Sequence, residues 1–91
     1  MSRDAHIGVA AAPELERRLL QYVNRRLLPA DAEPVEPTTP LFARGRLNSL
    51  RLLNLLAFVE RAIGREIPDD EIVMDRFRSV RQIAEAFGER A

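Results

Sequence analysis

The sequence contains no cysteine and no lysine, and its only histidine is His6. Without cysteine the chain can form neither disulfides nor thiolate-bound metal sites, and a lone histidine has no second ligand beside it. Long apolar runs are also missing. The longest, residues 52–59, is interrupted by Asn54 and is far too short to span a membrane. These absences exclude a disulfide-stabilised domain, a cysteine-based zinc domain and a membrane-spanning apolar helix.

Net charge is absent too, because 14 basic residues, all arginine, balance 14 acidic ones. A neutral chain argues against a protein whose binding is driven by attraction to a polyanion. The exclusive use of arginine is typical of a GC-rich bacterial genome, although arginine also suits carboxylate and phosphate partners. The N-terminus lacks the basic flank and continuous apolar stretch of a secretory signal, so we expect a cytoplasmic protein.

Ninety-one residues are enough for one modest hydrophobic core. Residues 1–12 have no usable period and are predicted to form a flexible tail, while residues 13–91 form the domain. The first helix is predicted to begin at Pro13, which suits a first helical position, and to be ended by Pro29. Its apolar stripe consists of Leu15, Leu19, Tyr22, Val23 and Leu27.

A long loop is predicted next, since residues 29–47 contain four prolines. Loops of this length are uncommon inside compact domains unless something fixes them. Leu41 and Phe42 are predicted to form a short helical turn that attaches this loop to the core.

The second predicted helix begins after Asn48, a good N-cap residue, and ends at Gly64. Two leucines on its outward side, Leu50 and Leu53, are more than a solvated face requires, so we interpret that side as a partner-binding patch. Isolated exposed leucines are common, and that alternative stays open. The predicted core face consists of Leu52, Leu55, Leu56, Val59, Ala62 and Ile63. The predicted patch consists of Arg46, Leu50, Arg51, Leu53, Asn54, Ala57 and Arg61.

The remaining chain predicts two further helices. Residues 67–70 open a short third helix around residues 71–74. Ser79 and Gln82 have the spacing of a capping box at the start of the last helix, which Gly88 ends. The buried face of that helix is predicted to be Val80, Ile83, Ala84 and Phe87. The sequence thus predicts an all-α fold, a small antiparallel four-helix bundle with three main helices and a short third one.

Three segments resemble the acyl and peptidyl carrier protein family. Residues 45–50 read GRLNSL and look like its modification motif, which is Gly, one or two residues, then Asp-Ser-Leu. Residues 58–68 read FVERAIGREIP and look like its Leu-Glu-x-x-Phe-Gly-x-x-Ile-Pro segment. Residues 77–80 read FRSV and resemble the start of its final helix. The first segment alone is weak, but the three together, in order and spacing, extend the resemblance over about residues 15–87.

The resemblance implies that 4′-phosphopantetheine is attached through a phosphodiester to Ser49, between Asn48 and Leu50. A phosphopantetheinyl transferase would move this arm from coenzyme A. A loading ligase would charge its thiol with an acyl or aminoacyl group as a thioester, and downstream transferases would receive that group. The chain would then be a carrier and not an enzyme, which agrees with the lack of a cysteine nucleophile, a paired general acid and base, or a metal cluster in the sequence. We expect a monomer that binds neither nucleic acid nor a membrane.

Two features depart from the family pattern. Asn48 replaces the usual Asp, keeping a capping oxygen but losing the carboxylate that transferases meet, so modification would need a dedicated or tolerant transferase. Fatty-acid carriers present an acidic second helix, whereas this region has Arg46, Arg51, Arg61 and Arg65. Charge complementarity then predicts an acidic or mixed partner surface, and the resemblance points to a stand-alone aminoacyl or specialised-metabolite carrier.

Two other interpretations compete with the carrier. In the first, the domain is never modified and acts as a docking or regulatory module through Leu50, Leu53 and Ala57. In the second, the arginines bind nucleic acid. That interpretation is disfavoured because a helix-turn-helix needs a tight turn where this chain has a long proline-rich loop, and because the helix arginines alternate with leucines.

Overall fold

The computed structural model describes residues 11–88, which contain three α-helices and no strand. The helices are α1 (Ala12–Tyr22), α2 (Ser49–Ile63) and α3 (Val80–Phe87). A π-helical segment, Val23–Leu27, continues α1, and 3-10 turns occupy Ala43–Gly45, Asp69–Glu71 and Met74–Phe77. No helix within residues 11–88 is both long and apolar enough to cross a membrane. The predicted all-α bundle is confirmed, with α1 starting one residue before Pro13; residues 1–10 of the predicted tail lie outside the described residues.

The hydrophobic core draws on all three helices and on both connections between them. The predicted stripe of the first helix is confirmed, with Tyr22 packed at its edge and the other four members buried. The core face of α2 is narrower than predicted, since Leu52 and Leu56 are only half-buried. α2 packs on α1 and on its π-helical continuation. The buried residues of α2 are Leu55, Val59, Ala62 and Ile63.

α1 and α2 run antiparallel, as their contacts show. The rings of Tyr22 and Phe58 stack with centroids 4.2 Å apart, and the Tyr22 hydroxyl donates to the Asn54 carbonyl at 3.3 Å. Further along α1 and nearer the start of α2, the Arg51 guanidinium donates to the Leu27 carbonyl. Later residues of one helix therefore meet earlier residues of the other.

α1 and α3 are also antiparallel, with the end of α3 beside the start of α1. A Cβ atom added to Gly88 would lie 2.5 Å from the Ala12 Cα, so only glycine fits at this crossing. At the other end of α3, the Arg81 Nε donates to the Glu16 Oε1 at 3.2 Å. This hydrogen bond, together with the attraction of the same carboxylate, raises the pKa of Arg81.

The π-helical segment was not predicted by the apolar period. Its wider turn is closed by the Leu28 N–H, which donates to the Val23 carbonyl at 3.0 Å. The turn allows Leu27 and Leu28, adjacent in sequence, both to be buried. Leu28 itself has an extended backbone, as is usual before a proline, so the predicted role of Pro29 in ending the helix is confirmed.

The first loop is hydrogen-bonded to the rest of the domain along its length. The Asn24 side chain pairs with the backbone of Val35, accepting its N–H at 2.8 Å and donating to its carbonyl at 3.2 Å. Further on, the Leu41 N–H donates to the Arg78 carbonyl at 2.8 Å, and the Leu47 N–H donates to the Leu41 carbonyl at 3.1 Å. These bonds satisfy loop backbone groups that a compact domain cannot leave unpaired.

The predicted helical turn at Leu41 and Phe42 is wrong in its position, although Leu41 is buried and does attach the loop to the core. The turn lies at Ala43–Gly45 instead. Burial of Leu41 fixes the chain at that point, and the helical turn forms only beyond it.

The predicted short third helix is also wrong. Two 3-10 turns, Asp69–Glu71 and Met74–Phe77, occupy this connection, and Val73 between them has an extended backbone. Ile72 and Val73 are β-branched and interrupt the helical path. Phe77, fully buried, then anchors the connection in front of α3.

Candidate functional site

The start of α2 has the capping geometry that the sequence predicts. Asn48 has an extended backbone, and its side-chain oxygen accepts the Arg51 N–H at 2.9 Å. Its carbonyl accepts the Leu52 N–H at 3.0 Å. Ser49 is the first residue of the helix and is exposed. Because Asn48 supplies the cap, the serine hydroxyl is not required for it.

The electrostatics around Ser49 favour an anion. The first turn of α2 contains no acidic residue, and the capping side chain of Asn48 is neutral. Unpaired backbone N–H groups and the dipole of a 15-residue helix make this end positive. An exposed hydroxyl at such a place fits a phosphodiester, whose negative charge is stabilised there.

The loop that leads to Ser49 is held in place on its approach. Arg44 and Gly45 both have left-handed backbones, with φ of 59° and 71°, which turns the chain sharply before α2. The Arg46 guanidinium donates to the Pro40 and Ala43 carbonyls at 3.2 and 3.3 Å. Leu47 is buried two residues before the serine. A fixed approach of this kind keeps the serine position defined although the side chain itself is exposed.

The predicted partner-binding patch is mostly present as one exposed face of α2. Leu50 is 68% exposed and Leu53 is 61% exposed. Asn54, Ala57 and Arg61 are exposed on the same outward side. Contiguous apolar surface of this kind is a feature of interaction sites. That this face binds a partner stays a prediction.

The two remaining arginines of the predicted patch have contacts within the domain. Arg51 is half-buried because its guanidinium reaches the Leu27 carbonyl at the end of the π-helical segment. Arg46 is likewise half-buried and bonded to the first loop. The prediction that placed Arg51 at the edge of the outward face of α2 is therefore incomplete. Its side chain also connects the start of α2 to the end of the π-helical segment.

A second exposed apolar surface was missed by sequence reasoning. Val73 and Met74, assigned to a short helix, are 43% and 56% exposed. Met74 lines an open cleft of about 240 Å³ with the first loop and the residue before Ser79. The lining residues are Pro40, Phe42, Ala43, Met74 and Arg78. No signal in the local pattern reveals this cleft, because it depends on how the two loops meet.

Glu60 has a structural role that its charge alone does not indicate. Its carboxylate accepts the Ile67 N–H at 2.8 Å, and its carbonyl accepts the Gly64 N–H at 2.9 Å. Gly64 is left-handed with φ of 77°, so a single acidic residue organises the turn after α2. The signal available in the sequence was its place in the segment that resembles carrier proteins.

Comparisons with known proteins agree with this geometry. The family model described as "Phosphopantetheine attachment site" matches residues 17–87. No curated protein sequence matches the chain. A solved structure, of Bradyrhizobium japonicum glycine:[carrier protein] ligase complexed with glycylated carrier protein, contains a chain that matches with a TM-score of 0.62 and 25% sequence identity. The match covers 82% of this chain and 96% of that one, so the two chains are similar in length.

The family match spans the loop before α2, the whole of α2 and the whole of α3. It includes the exposed serine at the positive end of α2, which suits a phosphodiester. The chain therefore belongs to the phosphopantetheine-attachment family and is a carrier protein with a covalent 4′-phosphopantetheine prosthetic group.

Proposed function

We propose that Ser49 carries the prosthetic group and that the protein presents an acyl or aminoacyl group, held as a thioester, to partner enzymes. The observation that carries this proposal is the exposed Ser49 at the start of α2, next to a residue that already supplies the cap. When bound, the prosthetic group supplies the terminal thiol that forms the thioester.

The residues of the chain supply position and not bond chemistry. Ser49 provides the oxygen to which the phosphate of the arm is esterified, and the backbone N–H groups at the start of α2 stabilise the charge of the resulting phosphodiester. Asn48 fixes the first turn, while Leu47 anchors the approach to it. On this proposal the protein is not an enzyme, and it acts as a monomer in the cytoplasm.

An aminoacyl cargo is favoured by two observations. The similar chain of known structure is crystallised with a glycine:[carrier protein] ligase. In addition, α2 of this protein presents Arg61 and no acidic residue in its first turn, unlike the acidic face that fatty-acid carriers present. We propose an aminoacyl-loading ligase as a partner, together with a phosphopantetheinyl transferase and a downstream transferase.

The proposed docking surface for these partners is the exposed face of α2 with Leu50, Leu53, Asn54, Ala57 and Arg61. Its two leucines supply the apolar contact area, and Arg61 adds a charge at the far end. Arg46 and Arg51 lie at its margin and support it through their bonds to the first loop and to Leu27.

Intact-mass measurement after co-expression with a phosphopantetheinyl transferase tests the attachment. The wild-type protein is expected to gain one phosphopantetheine mass, and Ser49→Ala is expected to gain none. Thr38→Ala is a matched control, because Thr38 is an exposed hydroxyl in the first loop. An arm on Ser49→Ala, or none on the wild-type protein with several transferases, would contradict the proposal.

Loading of the modified protein tests the cargo. Incubation with ATP, a carrier-protein ligase and single amino acids is expected to add one aminoacyl mass that hydroxylamine removes, as a thioester requires. Changing Leu50 and Leu53 together to serine is expected to weaken the ligase interaction by about 1 kcal/mol or more without unfolding the protein. Loading that is unchanged in this double variant would remove the leucines from the docking surface.

An unmodified docking or regulatory module is the alternative. The exposed leucines of α2 support it, because they need no prosthetic group to contact a partner. Protein purified from its native host separates the two functions. If Ser49 is unmodified and the protein still co-purifies with a partner that binds through Leu53, the docking or regulatory module is favoured.

A further inference from the structure

An open cleft of about 260 Å³ lies between α1 and α2. One of its walls, Phe58, is about 13 Å along the axis of α2 from Ser49. The cleft is lined by Arg18, Gln21, Tyr22, Arg25, Arg26 and Phe58. We call this set the arginine cleft. Its residues belong mainly to α1 and the π-helical segment, so it is separate from the exposed face of α2 described above.

The floor of the arginine cleft is an aromatic stack that also positions one arginine. Tyr22 and Phe58 are nearly parallel, with an interplanar angle of 10°. The Arg18 guanidinium lies over the Phe58 ring, with its central carbon 5.9 Å from the ring centroid. A guanidinium held against a ring keeps its N–H edges available for hydrogen bonds to a carboxylate. Arg18 is thereby oriented before any ligand arrives.

The rim of the cleft is formed by Arg25 and Arg26, both exposed on the π-helical segment. The same wide turn buries Leu27 and Leu28 behind them, which anchors the segment to the core. Within residues 11–88 the lining contains three arginines and no acidic side chain. On a chain whose charges cancel overall, this is a local concentration of positive charge.

We propose that the arginine cleft is a second docking surface that binds an acidic segment of a partner protein. Aspartate or glutamate carboxylates would pair with Arg18, Arg25 and Arg26, since guanidinium groups match carboxylates through two parallel hydrogen bonds. An apolar side chain of the same segment would pack on the exposed edge of the Tyr22–Phe58 stack. This interaction does not depend on the arm at Ser49, so it is expected of the unmodified protein as well.

A protein segment suits the cleft better than a nucleic acid. Single-stranded nucleic acids bind through bases that stack on free aromatic faces. Here Tyr22 and Phe58 cover one face of each other, and Arg18 lies over the Phe58 ring, so Phe58 offers no free face to a base. Three arginines in one small cleft also form no extended basic track for a phosphate backbone.

NMR titration of ¹⁵N-labelled full-length protein tests the proposal. The probe is a synthetic peptide that alternates glutamate with leucine, compared with the same peptide carrying glutamine and with an oligothymidylate of equal charge. The glutamate peptide is expected to shift the resonances of Gln21, Arg25 and Arg26 and to leave those of Leu50 and Leu53, on the exposed face of α2, unchanged. The glutamine peptide is expected to leave all of these resonances unchanged.

Paired variants supply the control. Arg25→Gln with Arg26→Gln is expected to weaken binding of the glutamate peptide by about tenfold or more. Arg65→Gln with Arg76→Gln removes the same charge from exposed arginines outside the cleft and is expected to leave binding within about twofold. Equal weakening by both pairs, no weakening by the first, or tighter binding of the oligothymidylate would overturn the proposal. Because all four arginines are exposed, both pairs are expected to fold.

Discussion

Ser49 and Ser79 lie at the starts of α2 and α3, after the two connections between the helices, yet only Ser49 is exposed. Ser79 is 5% exposed, and its hydroxyl accepts the Gln82 N–H at 3.1 Å. At α2 the corresponding bond is made by Asn48, one residue before the serine. An offset of one residue between cap and serine thus separates a hydroxyl that stabilises a helix from one that is available for chemistry.

The surroundings of the two helix starts also differ in how far they are exposed to solvent. The start of α3 is covered, because Phe77 is buried before it and the Arg78 carbonyl is bonded to the first loop. The start of α2 is open, and the residue after the serine, Leu50, is largely exposed. Covering suits a structural joint, whereas an open helix start suits a site that several enzymes must reach.

The comparison of the two helix starts assumes that α2 and α3 pack on the same hydrophobic core. Truncating a buried leucine of α2 to create a cavity in that core tests this assumption. Leu55 is fully buried, so Leu55→Ala is expected to cost about 2–5 kcal/mol of unfolding free energy. Leu53→Ala, on the exposed face, is expected to change it by less than about 0.5 kcal/mol. Leu56 is half-buried, so its truncation should cost less than that of Leu55. Urea denaturation measures all three, and similar losses for Leu53 and Leu55 would contradict the assigned faces.

Truncating the two serines tests the comparison directly. Ser79→Ala removes a buried cap and is expected to lower the unfolding free energy by about 0.5–2 kcal/mol. Ser49→Ala is expected to change it by less than about 0.5 kcal/mol, because its neighbour performs the capping. Urea denaturation of both variants gives the result. Equal losses would mean that the Ser49 hydroxyl is also structural.

Changing the cap at α2 sharpens the comparison further. Asn48→Ala is expected to cost about 1 kcal/mol through the loss of the bond to the Arg51 N–H. Asn48→Asp keeps the capping oxygen and adds a charge that the helix dipole favours by about 0.3–1 kcal/mol, so the protein should become slightly more stable. Thermal unfolding at low ionic strength measures both. A loss of stability in Asn48→Asp would show that the amide nitrogen has a role of its own.

Arg51 is where the open helix start is attached to α1. Arg51→Gln is expected to cost about 0.5–1.5 kcal/mol, since the Leu27 carbonyl loses its charged donor. Arg61→Gln is the matched control, because Arg61 is exposed on the same helix, and it should cost almost nothing. A variant of Arg51 with unchanged stability but weaker ligase binding would restore it to the docking surface.

Local capping chemistry made much of the fold predictable. The helix starts were predictable from the cap residues Asn48 and Ser79, and the helix ends from Gly64 and Gly88. Each of these signals acts on backbone groups only a few residues away in the sequence. The incorrect predictions had two causes, tertiary packing and a local backbone preference. The bond from Arg51 to Leu27 joins residues 24 positions apart, and no helical wheel contains it. The prediction of a third helix was wrong because Ile72 and Val73 favour an extended backbone where the apolar pattern alone indicated a helical turn.

The position of the candidate site was predictable from the carrier-like segments, and its physical basis was predictable from the helix N-terminus. The arginine cleft was not, because Tyr22 and Arg18 meet Phe58 only after α1 and α2 pack together. In the sequence, those arginines were indistinguishable from an ordinary solvated helix face.

Fragmentation mass spectrometry of the protein purified from its native host tests the assignment of Ser49 most directly. A phosphopantetheine group is expected on the peptide that contains Ser49, with Ser79 bare, and any cargo should be released by hydroxylamine. An unmodified Ser49 in the native protein, or an arm on a different residue, would contradict the role proposed for the start of α2.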